Sequence, residues 1–195
     1  MENEKLLEAA SIISRADHPV FFTGAGLSVE SGIPPFRGEN GLWKIENPLF
    51  LDLSFFKEYP AICWQKIKAN FYDPIKGARP NEGHFVIAEM EKNGRVHSVI
   101  TQNFDYLHQI AGSEKVLDFH GTLHRLHCLG CFQKFSVDKI GLDHLPPQCP
   151  ECGEILKPDI VFFGENIPED IHRFSFREAE RTDVMLLVGT TGVIM

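Results

Sequence analysis

Two Cys-x-x-Cys knuckles limit what this chain can become more tightly than any other feature. Cys128-Leu129-Gly130-Cys131 and Cys149-Pro150-Glu151-Cys152 are separated by residues 132–148. Paired thiolate knuckles at such spacing match a tetrahedral Zn2+ site. Four thiolates leave no open coordination position, so the ion holds structure and does no chemistry. Gly130 and Gly153 suit the tight knuckle turns. The surrounding stretch, about residues 122–157, carries Pro146, Pro147 and Pro150 and is too loop-rich to hold a core without metal. We expect a zinc-binding module inserted into a larger domain. Two disulfides or a catalytic redox pair are the competing readings. The chain opens Met1-Glu2-Asn3-Glu4-Lys5, with no basic segment leading into an apolar one, so no signal peptide is expected and the cytoplasm is the default compartment. An odd count of 5 cysteines in such a chain argues against a disulfide framework. The remaining Cys63 reads as a small buried hydrophobe.

Around that module the chain reads as α/β. Pro19 to Phe22 is a short apolar run ending in Gly24-Ala25-Gly26. Two glycines at this spacing allow a tight turn and a close approach of backbone to a ligand, commonly a phosphate. The third glycine of the dinucleotide fingerprint is missing, since Glu30 occupies its register and Gly32 comes too late. Taken alone, the turn is equally compatible with no ligand. Strands are expected over 20–23, 96–101, 116–119 and 184–188, the last fully buried. Helices are expected over 3–17, 82–93, 104–111 and 168–181. The first of these carries Leu6, Leu7, Ala10 and Ile13 at helical spacing and reads as a packing helix. Asn81 suits an N-cap and Gly94 a stop. The alternation of strand and helix favours a parallel sheet. Residues 48–72 are rich in aromatics, punctuated by Pro48 and Pro60, and are expected to form a lobe of short helices whose rings fill a core or line an apolar channel.

Several polar groups fall at strand ends, where open α/β sheets bind ligands. Gln102, Asn103 and Asp105 follow the strand at 96–101, although Asn and Asp there also serve as helix caps. His120 follows the strand at 116–119 and precedes Gly121. It is either structural or a proton-transfer group. The extended Lys157–Glu165 segment is either a core strand or an edge that pairs with a substrate backbone. Gly189-Thr190-Thr191-Gly192 closes the last strand. The balance of 19 basic against 27 acidic residues, net −8, argues against a nucleic-acid surface. No run of roughly 18 apolar residues suggests a membrane span.

Together these stretches resemble the sirtuins, the NAD-dependent protein-lysine deacylases. The resemblance rests on Gly24-Ala25-Gly26-Leu27-Ser28 with Ser31-Gly32-Ile33-Pro34-Pro35-Phe36-Arg37, on Thr101-Gln102-Asn103-Phe104-Asp105, on His120-Gly121-Thr122, on the cysteine knuckles, on Val161-Phe162-Phe163-Gly164, and on Gly189-Thr190-Thr191. These occur in family order along essentially the whole chain. The resemblance implies a Rossmann-like parallel sheet with an inserted zinc-ribbon/helical lobe. Residues 1–121 and 158–195 would form the NAD-binding domain, with a helical segment at about 38–80, and residues 122–157 the zinc module held by Cys128, Cys131, Cys149 and Cys152. Because the family continues into further strands, a longer protein is expected.

The resemblance also implies the chemistry: an acyl group passes from lysine to ADP-ribose and nicotinamide is released. NAD would be held by Gly24, Ala25, Gly26, Ser28, Ile33, Phe36, Arg37, Gln102, Asn103, Asp105, Gly189, Thr190 and Thr191. Among these, Arg37 and the first glycine turn, assisted by Ser28, would hold the pyrophosphate, while Phe36 covers the reactive ribose. Gln102 would bind the nicotinamide ribose and Asp105 the carboxamide. Asn103 and His120 would be catalytic, His120 as the general base that takes a ribose hydroxyl proton. His124 and His127 lie outside the motif and read as structural. Val161, Phe163 and Gly164 would contact an acyl-lysine protein or peptide. A monomer with no nucleic-acid or membrane partner is expected. Rival readings are an ADP-ribosyltransferase on the same fold and an inactive zinc- and NAD-binding module. Three departures stand out. Pro35 replaces the Asp or Thr common in the family and lacks an N–H. Tyr106 replaces a common glycine, with little expected consequence. No Tyr-x-x-Arg pair occurs between Tyr59 and Tyr72, which favours a neutral acyl chain.

Overall fold

The computed structural model describes residues 2–38 and 41–192. Helix α1 (Glu2–Arg15) leads into strand β1 (Pro19–Thr23). A 3-10 turn (Ala25–Ser31) follows, then the short helices α2 (Leu53–Glu58), α3 (Pro60–Ile67) and α4 (Asp73–Ile75). Helix α5 (Glu82–Lys92) precedes β2 (Ser98–Thr101), and α6 (Leu107–Ala111) precedes β3 (Val116–Asp118). The remaining elements are β4 (Gly121–Cys128), β5 (Lys134–Ser136), α7 (Val137–Ile140), β6 (Leu156–Ile160), α8 (Glu169–Arg181) and β7 (Val184–Val188).

Strands β3-β2-β1-β7 form a parallel sheet in that order. The register sets Thr23 against both Thr101 and Val188, and Thr101 against Asp118. All four strands therefore end at one edge, and the turns that follow them converge although they are far apart in sequence. Helix α5 starts as expected: Asn81 Oδ1 accepts the Gly83 N–H at 3.0 Å, and the His84 side chain returns the bond in a capping box. Phe21, Ile87, Val96 and Val99 seal this helix against the sheet.

A second core joins the aromatic lobe to an antiparallel sheet, β5-β4-β6. Phe56, Trp64, Ile67 and Phe71 from the helical side pack with Leu126, Leu156 and Phe162 from the other. Trp64 Nε1 donates to Leu156 O at 2.8 Å, satisfying the one polar atom of a fully buried indole. The helical segment and the zinc module thus share one core. No helix among the described residues is long and apolar enough to cross a membrane.

Four sequence expectations change. Helix α1 forms, but Leu6 and Leu7 are 64% and 71% exposed, so it is not a packing helix among the described residues. Helical periodicity places side chains on one face and does not determine what that face meets. β7 is half-buried, since Leu186 and Val188 pack inward while Met185 and Leu187 alternate outward. Tyr106 matters more than expected. It sits at φ 67°, in the left-handed region, which costs a non-glycine residue about 1–2 kcal/mol. Its ring stacks on His124 at 4.3 Å and 5°, an offsetting contact a glycine lacks. This conformation also delays α6 to Leu107. In the first knuckle the left-handed residue is Phe132, at φ 62°, and not Gly130. It matches Gly153, at φ 79°, which follows the second knuckle. Gly130 is small because a Cβ there would fall 2.8 Å from Glu154 Cγ.

Candidate active site and metal centre

The site begins with two threonines on adjacent strands. Thr23 Oγ1 donates to Thr101 Oγ1 at 2.9 Å and accepts from His108 Nε2 at the same distance, while Thr101 Oγ1 accepts the Asn103 N–H at 3.0 Å. These buried bonds set the floor from which the strand-end turns rise. The two glycine turns interlock above it. Gly24 N–H donates to Val188 O at 3.0 Å and Gly26 N–H to Gly189 O at 2.8 Å. A Cβ on Gly26 would lie 2.8 Å from Gly189 Cα, and one on Gly24 the same distance from Thr190 Cβ. These glycines are needed first for backbone against backbone, and their own amides are already engaged.

Beside the turns, Asn103, Ser28 and Asp105 form a buried chain of hydrogen bonds. Asn103 Nδ2 donates to Gly24 O and to Ser28 Oγ, both at 3.1 Å. Ser28 Oγ donates to Asp105 Oδ2 at 2.6 Å, and Asp105 Oδ1 accepts the Leu107 N–H at 2.9 Å. Asp105 therefore braces the first amide of α6 from one residue before its N-cap, Tyr106, while its other oxygen accepts from Ser28. Ala25, Ile33, Phe36 and Phe104 join these three groups around an enclosed pocket. Ser28 lines this pocket, whereas Arg37 lines the adjoining groove.

A more open groove of ≈ 240 Å³ adjoins it, lined by Gly26, Arg37, Gln102, His120, Thr190 and Thr191. Thr190 Oγ1 donates to Gln102 Oε1 at 3.1 Å, linking β7 to β2 across Gly24. Asn103 and Phe36 border both spaces. In the groove, His120 Nδ1 lies 3.2 Å from Gln102 O. A carbonyl only accepts, so the proton resides on Nδ1 and Nε2 keeps its lone pair. Burial pushes the His120 imidazole below the ordinary histidine range, partly countered by the Gln102 carbonyl. A neutral, oriented imidazole is a competent base.

His120 O accepts the Val161 N–H at 2.9 Å, so the segment after β6 leaves directly from the groove. Phe163 pairs with the lobe through its N–H to Leu51 O at 2.8 Å and its C=O from Leu53 N–H at 3.0 Å. Its side chain is 56% exposed, and Gly164 follows at φ 86°. One edge of this strip is occupied by the lobe; Phe162 is buried, Val161 is half-buried and the Phe163 side chain is exposed.

The four knuckle cysteines converge as well. Cys128 Sγ lies 3.4 Å from Cys152 Sγ and Cys131 Sγ lies 3.6 Å from Cys149 Sγ, with all four within 4.8 Å of one another. A disulfide needs about 2.05 Å, whereas thiolates around a tetrahedral Zn2+ at about 2.3 Å stand roughly 3.8 Å apart. All five cysteines are free thiols. The donor set and its size fit Zn2+. A largely apolar pocket with Ser28, Asn103 and Asp105 in its wall, beside an open groove with one arginine, likewise fits a ligand with a flat amide-bearing end and an anionic middle.

Residues 24–195 match the model of the Sir2 family. This chain belongs to the Sir2 family. It is 43% identical to NAD-dependent protein deacylase 2 of Pyrobaculum aerophilum, covering 96% of this chain and 75% of that one. It is 42% identical to the NAD-dependent protein deacylase of Thermococcus kodakarensis, covering 95% and 75%. Among solved Sir2 structures, a mutant Sir2 homologue in complex with ADP ribose superposes with a TM-score of 0.90 at 37% identity, covering 98% and 76%. Sir2Tm bound to a propionylated peptide superposes at 0.84 and 34% identity, covering 97% and 77%. The Sir2 match begins at Gly24, the first residue of the interlocked turns, and leaves α1 outside it.

Two contributors to the site escape sequence reading. Phe104 holds Phe36 and Phe71 edge-on at 5.5 Å and 5.2 Å, walling the enclosed pocket. Its only signal is its place between Asn103 and Asp105. Lys157 and Glu165 fasten the strip that carries Val161 and Phe163. The signal there is a lysine at the start of an apolar strand.

Proposed function

We infer that this Sir2-family chain is an NAD-dependent protein deacylase that transfers an acyl group from lysine to ADP-ribose and releases nicotinamide. The observation that carries the reading is His120, which lines the groove beside the glycine turns with Nδ1 held by Gln102 O and with burial favouring its neutral form. Bound NAD supplies an electrophilic ribose carbon with nicotinamide as its leaving group.

The chain's residues divide the remaining work. Asp105 and Asn103, braced by Ser28, orient the carboxamide in the enclosed pocket, while Ile33 and Phe36 keep water from it. Arg37 supplies the positive charge for the pyrophosphate, and Ala25, Gly26 and Gly189 let it come close. Thr190 and Thr191 meet the adenosine side, and Gln102 and Asn103 hold the ribose. His120 takes a ribose hydroxyl proton at Nε2. Val161, Phe163 and Gly164 cradle the acyl-lysine of a protein or peptide. Cys128, Cys131, Cys149 and Cys152 hold a structural Zn2+ that keeps the lobe, and so this strip, in place. Four reduced thiolates suit the cytoplasm. The missing Tyr-x-x-Arg pair favours a neutral acyl group.

The test is nicotinamide release from NAD by the zinc-loaded chain with and without an acetyl-lysine peptide, the peptide being followed by mass spectrometry. Peptide-dependent release with loss of the acetyl mass is expected. A gain of ADP-ribose on the peptide would replace the reading with the transferase alternative. Release of nothing by the folded, zinc-bound chain would leave only a binding module.

A further inference from the structure

At the opposite edge of the parallel sheet, where the strands begin, lies a second cluster of metal-binding side chains. His18 immediately precedes β1 and His97 immediately precedes β2. These strands are neighbours with Val20 against Ser98, so the two imidazoles meet, with ring centroids 3.8 Å apart at 33°. Glu178 reaches them from α8. Its Oε2 lies 3.1 Å from His18 Nε2 and 3.7 Å from His97 Nε2, and it accepts from Ser98 Oγ at 2.9 Å. One donor atom from each of the three residues lies within 4.8 Å of the others.

The backbones behind these side chains are held from three directions. His18 N–H donates to Asp183 Oδ1 at 3.0 Å, and His18 O accepts from Thr182 Oγ1 at 2.8 Å. His97 N–H donates to Pro19 O at 2.8 Å. Such support keeps ligand side chains close to a binding geometry before an ion arrives. The cluster is also accessible. The His18 and Glu178 side chains are 12% and 13% exposed, while that of His97 is 40% exposed. His97 and Glu178 border a cleft of ≈ 350 Å³ whose other charged walls, Glu114 and Lys115, offset each other.

We propose that His18, His97 and Glu178 form a second metal site, open to solvent, for a divalent first-row transition ion such as Zn2+. Two imidazole nitrogens and one carboxylate oxygen are a borderline donor set that selects such ions over Mg2+ or Ca2+. Nitrogen and oxygen donors around a tetrahedral Zn2+ stand about 3.3–3.4 Å apart, and the observed 3.1 Å and 3.7 Å bracket that spacing. Water takes the fourth position on the exposed side. The ion links α8 to the starts of β1 and β2, far from the groove at the strand ends and separate from the four cysteines. The site does not depend on the deacylase reading.

The experiment is calorimetric titration of Zn2+ into the chain whose cysteine site is already filled, with bound zinc counted by elemental analysis. One further equivalent is expected. His97→Ala and Glu178→Gln should each weaken it by roughly tenfold or more. His144→Ala, at an exposed histidine outside the cluster, should titrate as the parent does. In the parent, Zn2+ should shift the Nε2 nitrogen resonances of His18 and His97. Circular dichroism confirms that each variant is folded. A parent that stays at one zinc per chain overturns the proposal. So does a further equivalent that survives both substitutions, or one that His144→Ala weakens equally.

Discussion

The buried ammonium of Lys157 lies 2.9 Å from Glu165 Oε2, and this pair closes the loop between the zinc lobe and the groove. Lys157 is 2% exposed. Its Nζ also donates to Pro158 O at 3.1 Å and Ile160 O at 2.6 Å and rests 4.0 Å from the Phe162 ring. Glu165 Oε2 in turn accepts the Phe162 N–H at 2.7 Å. Pro158, Ile160 and Phe162, which flank Val161 and lead to Phe163, are thereby tied to the two charges. Removing one partner of such a pair strands the other, which costs about 3–5 kcal/mol. Glu165→Ala should lower the unfolding free energy of the zinc-loaded chain by that order and raise the KM for an acyl-lysine peptide. Lys157→Met combined with Glu165→Gln should recover much of the stability, as read from urea midpoints. A single substitution with no effect on either quantity would refute the role.

His120 should set the acid limb of the activity profile. Burial places its imidazole below the ordinary value, with the Gln102 carbonyl pulling the other way. A lowered value means the neutral, basic form persists to lower pH. The midpoint of the acid limb of kcat/KM should therefore fall below about 6.5. His120→Ala should reduce kcat about 10²–10⁴-fold while leaving the fold and zinc content intact. An acid limb above the ordinary histidine range would contradict the burial argument.

His108 should make the fold acid-sensitive. It is pushed down to about 3, first by burial and then by the neighbouring His84. The unfolded chain binds this proton below about 6.5 and the folded chain does not until about 3, so stability falls as pH drops through that window. Asp118, raised to about 6 mainly by burial, acts in the opposite sense between its ordinary value and 6. The difference between the parent and His108→Gln isolates the histidine. The parent should lose stability more steeply from pH 6.5 to 5 in guanidinium titrations. Parallel slopes would show that His108 contributes nothing to the pH dependence.

Metal removal should melt the lobe and not merely the knuckles. Cys128 and Cys149 are buried in the same core as Trp64, Phe71 and Leu156. Cys152→Ser, or chelation, should release zinc, expose Trp64 and red-shift its fluorescence, and abolish peptide-dependent turnover. Retained Trp64 burial after complete zinc loss would show that the aromatic core stands without metal.

Much of the site was legible because its chemistry is local. The cysteine knuckles needed only spacing, and Gln102, Asn103, Asp105 and His120 stood at the ends of recognisable strands. Asp105 accepts the Leu107 N–H at one oxygen and the Ser28 hydroxyl at the other, so a single carboxylate braces the start of α6 and the wall of the pocket at once. Other features were not legible. Tyr106 takes up a left-handed backbone because the turn before α6 requires it, and the ring of His124 that offsets the strain comes from β4. The exposure of α1 is equally invisible in its periodicity.

By itself the sequence determined where strands end, which turns carry glycine, and that four cysteines form a set suited to one ion. These follow from backbone sterics and ligand chemistry acting over a few residues. Only the tertiary structure decided that Gly24 and Gly26 meet Gly189, that Lys157 is buried against Glu165, and that His18 and His97 stand side by side over Glu178. The physical reason is the parallel register. It aligns the ends and the starts of strands that lie distant in the chain, and side-chain spacing along the sequence does not encode that alignment.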